Sequence, residues 1–293
     1  MSIIHNIFDA HSHIHLDELS LVNYAKSHLM ADITSGIIMI DPYINEIKCG
    51  KKKHHSIIRQ HHMCQEALCV ECKMSIAQDS NFYRQYNHKL LQCTQVLKEQ
   101  GFTPFPFITT IANTYAINSE VDYFLKLDRP FYGIKIYTGT SADVLNNCTF
   151  NSDYPLIIHT GLWENQFPKT MLQFCERYNG PILIAHFAMF DISFIKQLKN
   201  RPNIYFDTSP AICAYQRYLI KKNNGGFIDS NGIEYVEDMY YKLIDLVGVD
   251  KIIWGSDYPI GDVYRELKIV QELNIENADK QALLSINAMR FLG

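Results

Sequence analysis

Five side chains of metal-binding type stand at the ends of short apolar runs. His11 and His13 close the first run of the chain, and His159, His186 and Asp257 each close another. Residues at i and i+2 of a strand point to the same face, so the imidazoles of His11 and His13 converge on one point. Histidines with one carboxylate suit zinc or another first-row divalent ion. The sequence therefore predicts a metal centre built from several strand ends.

Each of these residues also has an ordinary explanation. A lone His159 or His186 fits a core histidine with satisfied hydrogen bonds, and Asp257 fits a turn residue before a proline. Such separate explanations do not account for four different strand ends that each carry a residue of metal-ligand type. Asp9, two residues before His11, is expected to accept the second ring proton of a metal-bound histidine and so to fix its tautomer.

Strands and helices alternate along the whole chain. Apolar runs predict eight strands that start near residues 7, 37, 102, 133, 155, 182, 203 and 252, and helical periodicity fills most intervals between them. This alternation indicates an α/β fold with a parallel sheet covered on both faces, and eight units favour a closed (β/α)8 TIM barrel. In such a barrel all the carboxyl ends of the strands open onto one face, where distant residues can meet.

One barrel accounts for the chain's 293 residues better than two small domains, because such barrels take about 250 residues. We therefore expect one domain over residues 1–293, with a helical insertion around residues 44–100 after the second strand. Two helices are predicted there, at about 57–74 and 82–99. The basic, histidine and cysteine residues within 51–72 lack the spacing of a zinc site or a nucleic-acid contact, and we interpret them as a solvated helix.

The composition argues against several classes of partner. A net charge of −4 gives no general attraction to nucleic acid or anionic lipid. No segment approaches the roughly 20 apolar residues of a membrane span, and the N-terminus does not have the pattern of a signal peptide. The eight cysteines are too dispersed for a disulfide framework. We expect a cytoplasmic protein whose partner is a small-molecule substrate.

Several motifs carry a family resemblance from end to end of the chain. They are FDAHSH at 8–13, GIK at 133–135, IHTG at 158–161, AH at 185–186, FDTS at 206–209, WGSDYP at 254–259, and ALL and NAMRFLG at 282–284 and 287–293. With these motifs the chain resembles the amidohydrolase superfamily. Within it, the similarity is to the amidohydrolase-related (amidohydrolase 2) metal-dependent hydrolases of TIM-barrel fold, the branch that includes aminocarboxymuconate semialdehyde decarboxylase.

The resemblance implies a role for each of the five candidate side chains. His11, His13, His159 and Asp257 would hold the metal, and His186 would face the substrate or hold a second ion. The chain departs from the family pattern directly after His186, where relatives commonly have a glycine-containing turn.

Lys135 bears on the number of metal ions. In some branches of the superfamily a lysine at the end of strand 4 is carbamylated and bridges two metals, and Lys135 stands at that place. A lysine desolvated among apolar residues loses its proton more readily, which favours this modification. The alternative is an ordinary ion pair in the barrel mouth. We expect one divalent ion per chain, zinc above others, and two if Lys135 is carbamylated.

Hydrolysis of a small amide, lactone or ester is the main function that the resemblance implies. A metal ion lowers the pKa of bound water from about 15.7 toward about 7 and gives a hydroxide nucleophile. Asp257 would accept the water proton and pass it to the leaving group, while His186 would help to stabilise the charged oxygen. Tyr137 and Trp163, just beyond strand ends, are candidates for the walls of the substrate site, or else are packed loop residues.

Two alternatives remain open at the level of sequence. The same branch also contains non-oxidative decarboxylases of unsaturated or aromatic carboxylates, and no ligand distinguishes the two reactions. A metal-stabilised binding protein is the third hypothesis, since fold alone does not prove activity. The resemblance is also compatible with a homodimer.

Overall fold

The computed structural model describes residues 6–40, 80–111, 114–127, 130–137, 142–150, 153–161, 168–223 and 233–293. The strands are β1 (Ile7–Ile14), β2 (Ile33–Ile40), β3 (Thr103–Ile111), β4 (Gly133–Tyr137), β5 (Leu156–Ile158), β6 (Ile182–Ile184), β7 (Ile204–Asp207) and β8 (Ile252–Ile253).

Helices in the described ranges are numbered in chain order. They are α1 (Glu18–Met30), α2 (Ser80–Glu99), α3 (Thr114–Leu125), α4 (Ala142–Asn147), α5 (Leu172–Arg177), α6 (Ile192–Leu198), α7 (Ala211–Asn223), α8 (Val236–Val247), α9 (Val263–Glu272), α10 (Asn277–Gln281) and α11 (Asn287–Leu292). A π-helical turn, Ala282–Ile286, joins the last two. None of the helices in these ranges is long and apolar enough to cross a membrane.

The eight strands form one parallel sheet in sequence order, which curls back on itself. Each strand pairs in parallel with the next. Between β1 and the segment after β8, Ala10 N–H donates to Trp254 O at 3.2 Å and His13 N–H donates to Tyr258 O at 2.7 Å. The predicted (β/α)8 TIM barrel is therefore confirmed.

Alternate residues of each strand serve two buried layers. Ile37 and Met39 of β2 belong to an inner cluster that fills the barrel, whereas Ile38 and Ile40 belong to an outer cluster beneath the helices. Because both faces are buried, the strands are continuous apolar runs rather than alternating ones. A polar residue at the end of such a run therefore marks the point where the strand leaves the core.

Several helices begin at a local side-chain cap. Asp17, Asp191 and Asp262 precede α1, α6 and α9, and each carboxylate accepts the backbone N–H three residues further on. These caps fix the points at which the loops end and the helices begin.

The predicted elements agree with the structure in most of the described ranges. The second predicted helix of the insertion is α2, whereas the first, together with the basic and cysteine residues within 51–72, lies outside the described residues. The sequence pattern predicts no helix between β7 and a helix that begins at about residue 234, and this is wrong, because α7 begins at Ala211. Its first N–H groups, of Ala211 and Ile212, donate to the distant carboxylate of Glu266 at 2.7 and 3.3 Å. The N-terminus of α7 is thus capped from another helix.

Candidate metal centre

Three of the predicted ligands converge where β1 meets the segment after β8. Asp257 Oδ1 lies 3.5 Å from His11 Nε2 and 3.3 Å from His13 Nε2. The three side chains are buried, and their ligand atoms lie within 4.8 Å of one another. The strand periodicity that directs His11 and His13 to one face also directs them to this carboxylate.

The backbone brings Asp257 to this position. Its N–H donates to His11 O at 2.7 Å, and its φ of 54° lies in the left-handed region. Gly255 permits the close approach of the two segments, because a Cβ there would lie 2.7 Å from the Cβ of His11. The Asp257 side chain therefore turns into the barrel mouth next to the β1 histidines.

His186 and His159 form the adjoining part of the site. His186 Nε2 lies 3.1 Å from His159 Nδ1, and the rings of His186 and His11 are 5.1 Å apart between centroids. His186 Nδ1 donates to the carbonyl oxygen of Ser209 at 2.6 Å. The structure thus brings all five predicted side chains to one end of the barrel, with His159 in contact with His186.

Asp207 belongs to the site and was given no role from the sequence. Its Oδ2 accepts a short hydrogen bond from His11 Nδ1. Its Oδ1 accepts the Ser209 N–H at 2.6 Å, the Ser209 hydroxyl at 2.7 Å and the His186 N–H at 3.3 Å. The signal was present in the sequence, because Asp207 closes an apolar run, as His159 and Asp257 do.

The role predicted for Asp9 is wrong. Its carboxylate accepts the backbone N–H groups of His11 and Ser256, and the second oxygen lies 2.9 Å from the ring Nε2 of His28. The ring of His11 bonds instead to Asp207. In an extended strand Asp9 and His11 share a face, but the barrel closure places Ser256 and His28 against the Asp9 oxygens. Asp9 therefore fastens β1 to β8 and α1.

Lys135 lies fully buried below the histidines. Its Nζ is 3.0 Å from His11 Nε2. Because an ammonium group can only donate, His11 Nε2 accepts this hydrogen bond with its one lone pair. Tyr137 ends β4 opposite Ile111 of β3, and Trp163 lies outside the described residues.

Burial sets the protonation of the site. It lowers the pKa of His11 well below its ordinary value, and the charge of Lys135 and the nearby His13 act in the same direction. Burial also lowers the pKa of His186, with His11 as the next cause. For Asp207, burial raises the pKa, against the opposing effects of His186 and of hydrogen bonds from Ser209. Both histidines are therefore neutral near pH 7.

The donor set fits a divalent cation. Neutral imidazoles with lone pairs and a carboxylate are the groups that zinc and related ions bind. Here His11, His13 and Asp257 supply two ring nitrogens and a carboxylate oxygen at one buried point, and the distal ring nitrogen of His11 is held by a carboxylate, as is usual for metal-bound histidine.

A family model described as "Amidohydrolase" matches residues 151–293. The resemblance to the amidohydrolase family that the motifs indicate is therefore confirmed over these residues. The matched segment contains β5 to β8 and with them His159, His186, Asp207 and Asp257, whereas His11, His13 and Lys135 precede it. No curated protein matches the chain.

Solved structures share the fold over nearly the whole chain. The 5-carboxyvanillate decarboxylase from Sphingomonas paucimobilis has a TM-score of 0.60 at 9% identity and covers 98% of both chains. The 2,6-dihydroxybenzoate decarboxylase from Rhizobium has a TM-score of 0.60 at 12% identity, again with 98% of both chains covered. A candidate 2-pyrone-4,6-dicarboxylic acid hydrolase from Pseudomonas putida has a TM-score of 0.59 at 12% identity, with 98% and 97% covered.

Two further structures of the same fold contain a metal. An amidohydrolase from Burkholderia multivorans, with bound zinc, has a TM-score of 0.59 at 11% identity and coverage of 98% and 99%. A dihydroxybenzoic acid decarboxylase from Polaromonas, with bound manganese, has a TM-score of 0.55 at 13% identity and coverage of 98% and 97%. Metal ions thus occur in this fold with both classes of protein.

Proposed function

We propose that this protein is a metal-dependent decarboxylase that acts on a small aromatic or unsaturated carboxylate. The observation that carries the proposal is the buried convergence of His11, His13 and Asp257 at the barrel mouth, with ligand atoms within 4.8 Å of one another. The decarboxylases among the structures of the same fold favour this reaction over the hydrolysis that we expected first. His159 would complete the ligand set.

A divalent ion bound there would act as a Lewis acid and orient an oxygen of the substrate. In decarboxylation the bond between the ring carbon and the carboxylate breaks, its electrons stay on the carbon, and a proton must reach that carbon. We assign the proton transfer to the Asp257 carboxyl group, because its backbone is fixed against His11 and its side chain turns into the mouth. His186 would line the side of the site that faces His159.

Lys135 has two alternative roles in the proposed site. Its Nζ lies 3.0 Å from His11 Nε2 at the base of the site. As an ammonium group it would attract the carboxylate of the substrate, and as a carbamate it would bridge two ions. We propose the first role with one ion per chain, since Lys135 Nζ lies within hydrogen-bond distance of His11 Nε2.

Metal-dependent hydrolysis of a small amide, lactone or ester is the second candidate function. The family model and the likeness to the candidate pyrone hydrolase favour it. The same residues would serve, with Asp257 accepting a proton from water rather than delivering one to carbon.

The two reactions are separated by their products. The purified protein would be loaded with zinc or manganese and given 2,6-dihydroxybenzoate, 5-carboxyvanillate and 2-pyrone-4,6-dicarboxylate. Release of carbon dioxide from an aromatic acid, lost in Asp257→Asn, would support decarboxylation. Ring opening of the pyrone without carbon dioxide would support hydrolysis instead. Full activity of Asp257→Asn in either assay would contradict the role given to this residue.

Metal content tests the centre itself. Elemental analysis of the unchelated protein should give about one divalent ion per chain, lost in His11→Ala and kept in Lys135→Ala. Two ions per chain, one of them lost in Lys135→Ala, would show a bridged pair. Absence of metal after reconstitution would contradict the proposed centre. The homodimer stays a prediction, which the molar mass in solution tests.

A further inference from the structure

We infer that Asp207 is a positioning residue that sets the tautomers of the histidines in the candidate metal centre, together with the Ser209 backbone. The inference rests on the proposed metal centre for its purpose. Asp207 ends β7, which pairs with β8, and Ser209 follows it, so the barrel fixes both beside the site. Between them they bond to His11 and His186.

The tautomer of His11 follows from its two ring partners. Nδ1 faces the Asp207 carboxylate, and Nε2 faces the ammonium group of Lys135. A carboxylate only accepts and an ammonium group only donates, so the ring proton lies on Nδ1. The single lone pair on Nε2 accepts from Lys135, and Asp257 Oδ1 lies 3.5 Å from the same nitrogen. A metal ion bound between His11 and Asp257 would replace the hydrogen bond from Lys135.

The tautomers of His186 and His159 follow in turn. The Ser209 carbonyl oxygen can only accept, so His186 carries its proton on Nδ1. The lone pair of His186 Nε2 then accepts from His159 Nδ1 at 3.1 Å. This leaves the lone pair of His159 on Nε2. Two fixed acceptors at the end of β7 thus determine which ring nitrogen each of three histidines presents.

Asp207→Asn would reverse the tautomer of His11. One oxygen of Asp207 accepts three donors, namely the N–H and hydroxyl of Ser209 and the N–H of His186. The amide oxygen of an asparagine must take that place, because its NH2 group would otherwise face three donors. The NH2 group then faces His11 Nδ1, which must accept. The proton of His11 then moves to Nε2, and Lys135 Nζ, which faces this nitrogen at 3.0 Å, must release a proton and accept as a neutral amine. His11 Nε2 then has no lone pair for a metal ion.

Nitrogen-15 NMR of metal-free full-length protein labelled on histidine tests the inference. At a pH above the ordinary histidine pKa of about 6.5, wild-type His11 should show a protonated Nδ1 and an unprotonated Nε2. His11→Gln identifies the signals of His11. In Asp207→Asn the two signals should exchange, and the affinity for zinc or manganese, measured against a competing chelator, should fall about 10–100-fold.

Ser209→Ala is the matched control. It removes the hydroxyl donor but keeps the carbonyl that bonds to His186 and the N–H that bonds to Asp207, so all tautomers should stay as in the wild type. A wild-type His11 protonated on Nε2 would overturn the inference, even if Asp207→Asn fails to fold. A folded Asp207→Asn with unchanged His11 signals would also overturn it. Expected tautomers without any metal affinity would instead contradict the proposed function.

Discussion

At the scale of single residues, Gly255 governs how closely His11 and Asp257 approach. A Cβ at this position would lie 2.7 Å from His11 Cβ and 2.8 Å from His11 N. The backbone of β1 fixes both of these His11 atoms, so neither can rotate away. Gly255→Ala should therefore push β1 away from Asp257, lower the free energy of unfolding by about 1–3 kcal/mol and weaken metal binding.

Urea unfolding and a chelator competition on the same preparation check this prediction. The wild-type protein and the exposed substitution Met289→Ala serve as references. A Gly255→Ala protein with wild-type stability and wild-type metal affinity would show that the two segments have room that the structure does not indicate.

The candidate ligands could be predicted from the sequence, but their hydrogen-bond partners could not. His11, His13 and Asp257 each close an apolar run, and the runs alone indicate a shared face. Which carboxylate holds the His11 ring depends on how the barrel closes, because Asp207 is 196 residues away along the chain and Asp9 only two. The sequence favoured Asp9, the nearer carboxylate, and this prediction was wrong.

At the scale of elements, the segment after β6 is the most strained part of the described backbone. Five consecutive non-glycine residues from His186 to Phe190 have φ between 49° and 58°. Left-handed backbone costs roughly 1–2 kcal/mol for a residue with a Cβ. The turn contains no glycine that would indicate a left-handed backbone, so its shape was not predicted. Strain of this kind collects at functional sites, and here it turns His186 toward the mouth.

Met189, which is half-buried in this turn, permits a direct test. Its φ is 49°, so Met189→Gly should be more stable than Met189→Ala by about 1 kcal/mol. In an ordinary helix the order is the opposite. Lys196, exposed on α6, is the matched control, where the alanine variant should be the more stable one. Thermal unfolding of the four variants tests this prediction. The same order of stability for glycine and alanine at both positions would contradict the left-handed turn.

The contact between α9 and α7 makes stability depend on pH. Burial raises the pKa of Glu266 from 4.5 to about 8, although its carboxylate accepts the N–H groups of Ala211 and Ile212. The folded protein therefore binds a proton that the unfolded chain releases between these values. This contribution to stability is complete below pH 4.5 and is lost as the pH rises toward 8, at up to about 1.4 kcal/mol per pH unit.

Glu266→Gln removes the titrating group and keeps one carbonyl oxygen as acceptor. The difference in free energy of unfolding, wild type minus variant, should fall steadily between pH 4.5 and 8, as urea unfolding at several pH values can measure. A difference that is constant with pH would mean that Glu266 is already ionised when it caps α7. A difference that rises with pH would reverse the sign of the predicted shift.

At the scale of the whole molecule, the fold followed from the sequence because alternation needs no knowledge of distant contacts. Eight apolar runs separated by helical periods suffice to predict a parallel barrel. Helix α7 was missed for the opposite reason. The carboxyl group that caps its N-terminus, Glu266, is 55 residues away along the chain. Features carried by one element could thus be predicted, and features shared between distant elements could not.

The C-terminal helix α11 closes the barrel at the end away from the candidate site. Phe291 is fully buried in the inner cluster, with its ring 6.1 Å from that of Phe107 and 5.8 Å from that of Tyr205. Asn287 fixes the helix by donating to Val249 O and Ile252 O at 2.8 Å. Phe291→Ala should therefore lower the free energy of unfolding by about 3–5 kcal/mol.

This loss should leave the metal centre of the folded protein unchanged, because α11 contacts the start of β8 whereas Asp257 follows its end. Met289→Ala is the control on the same helix, since Met289 is exposed and its loss should cost no more than about 0.5 kcal/mol. Urea unfolding and metal competition on both variants separate the two ends of the barrel. A fall in metal affinity in folded Phe291→Ala would show that a change in the packing of the barrel interior alters the metal centre at the mouth.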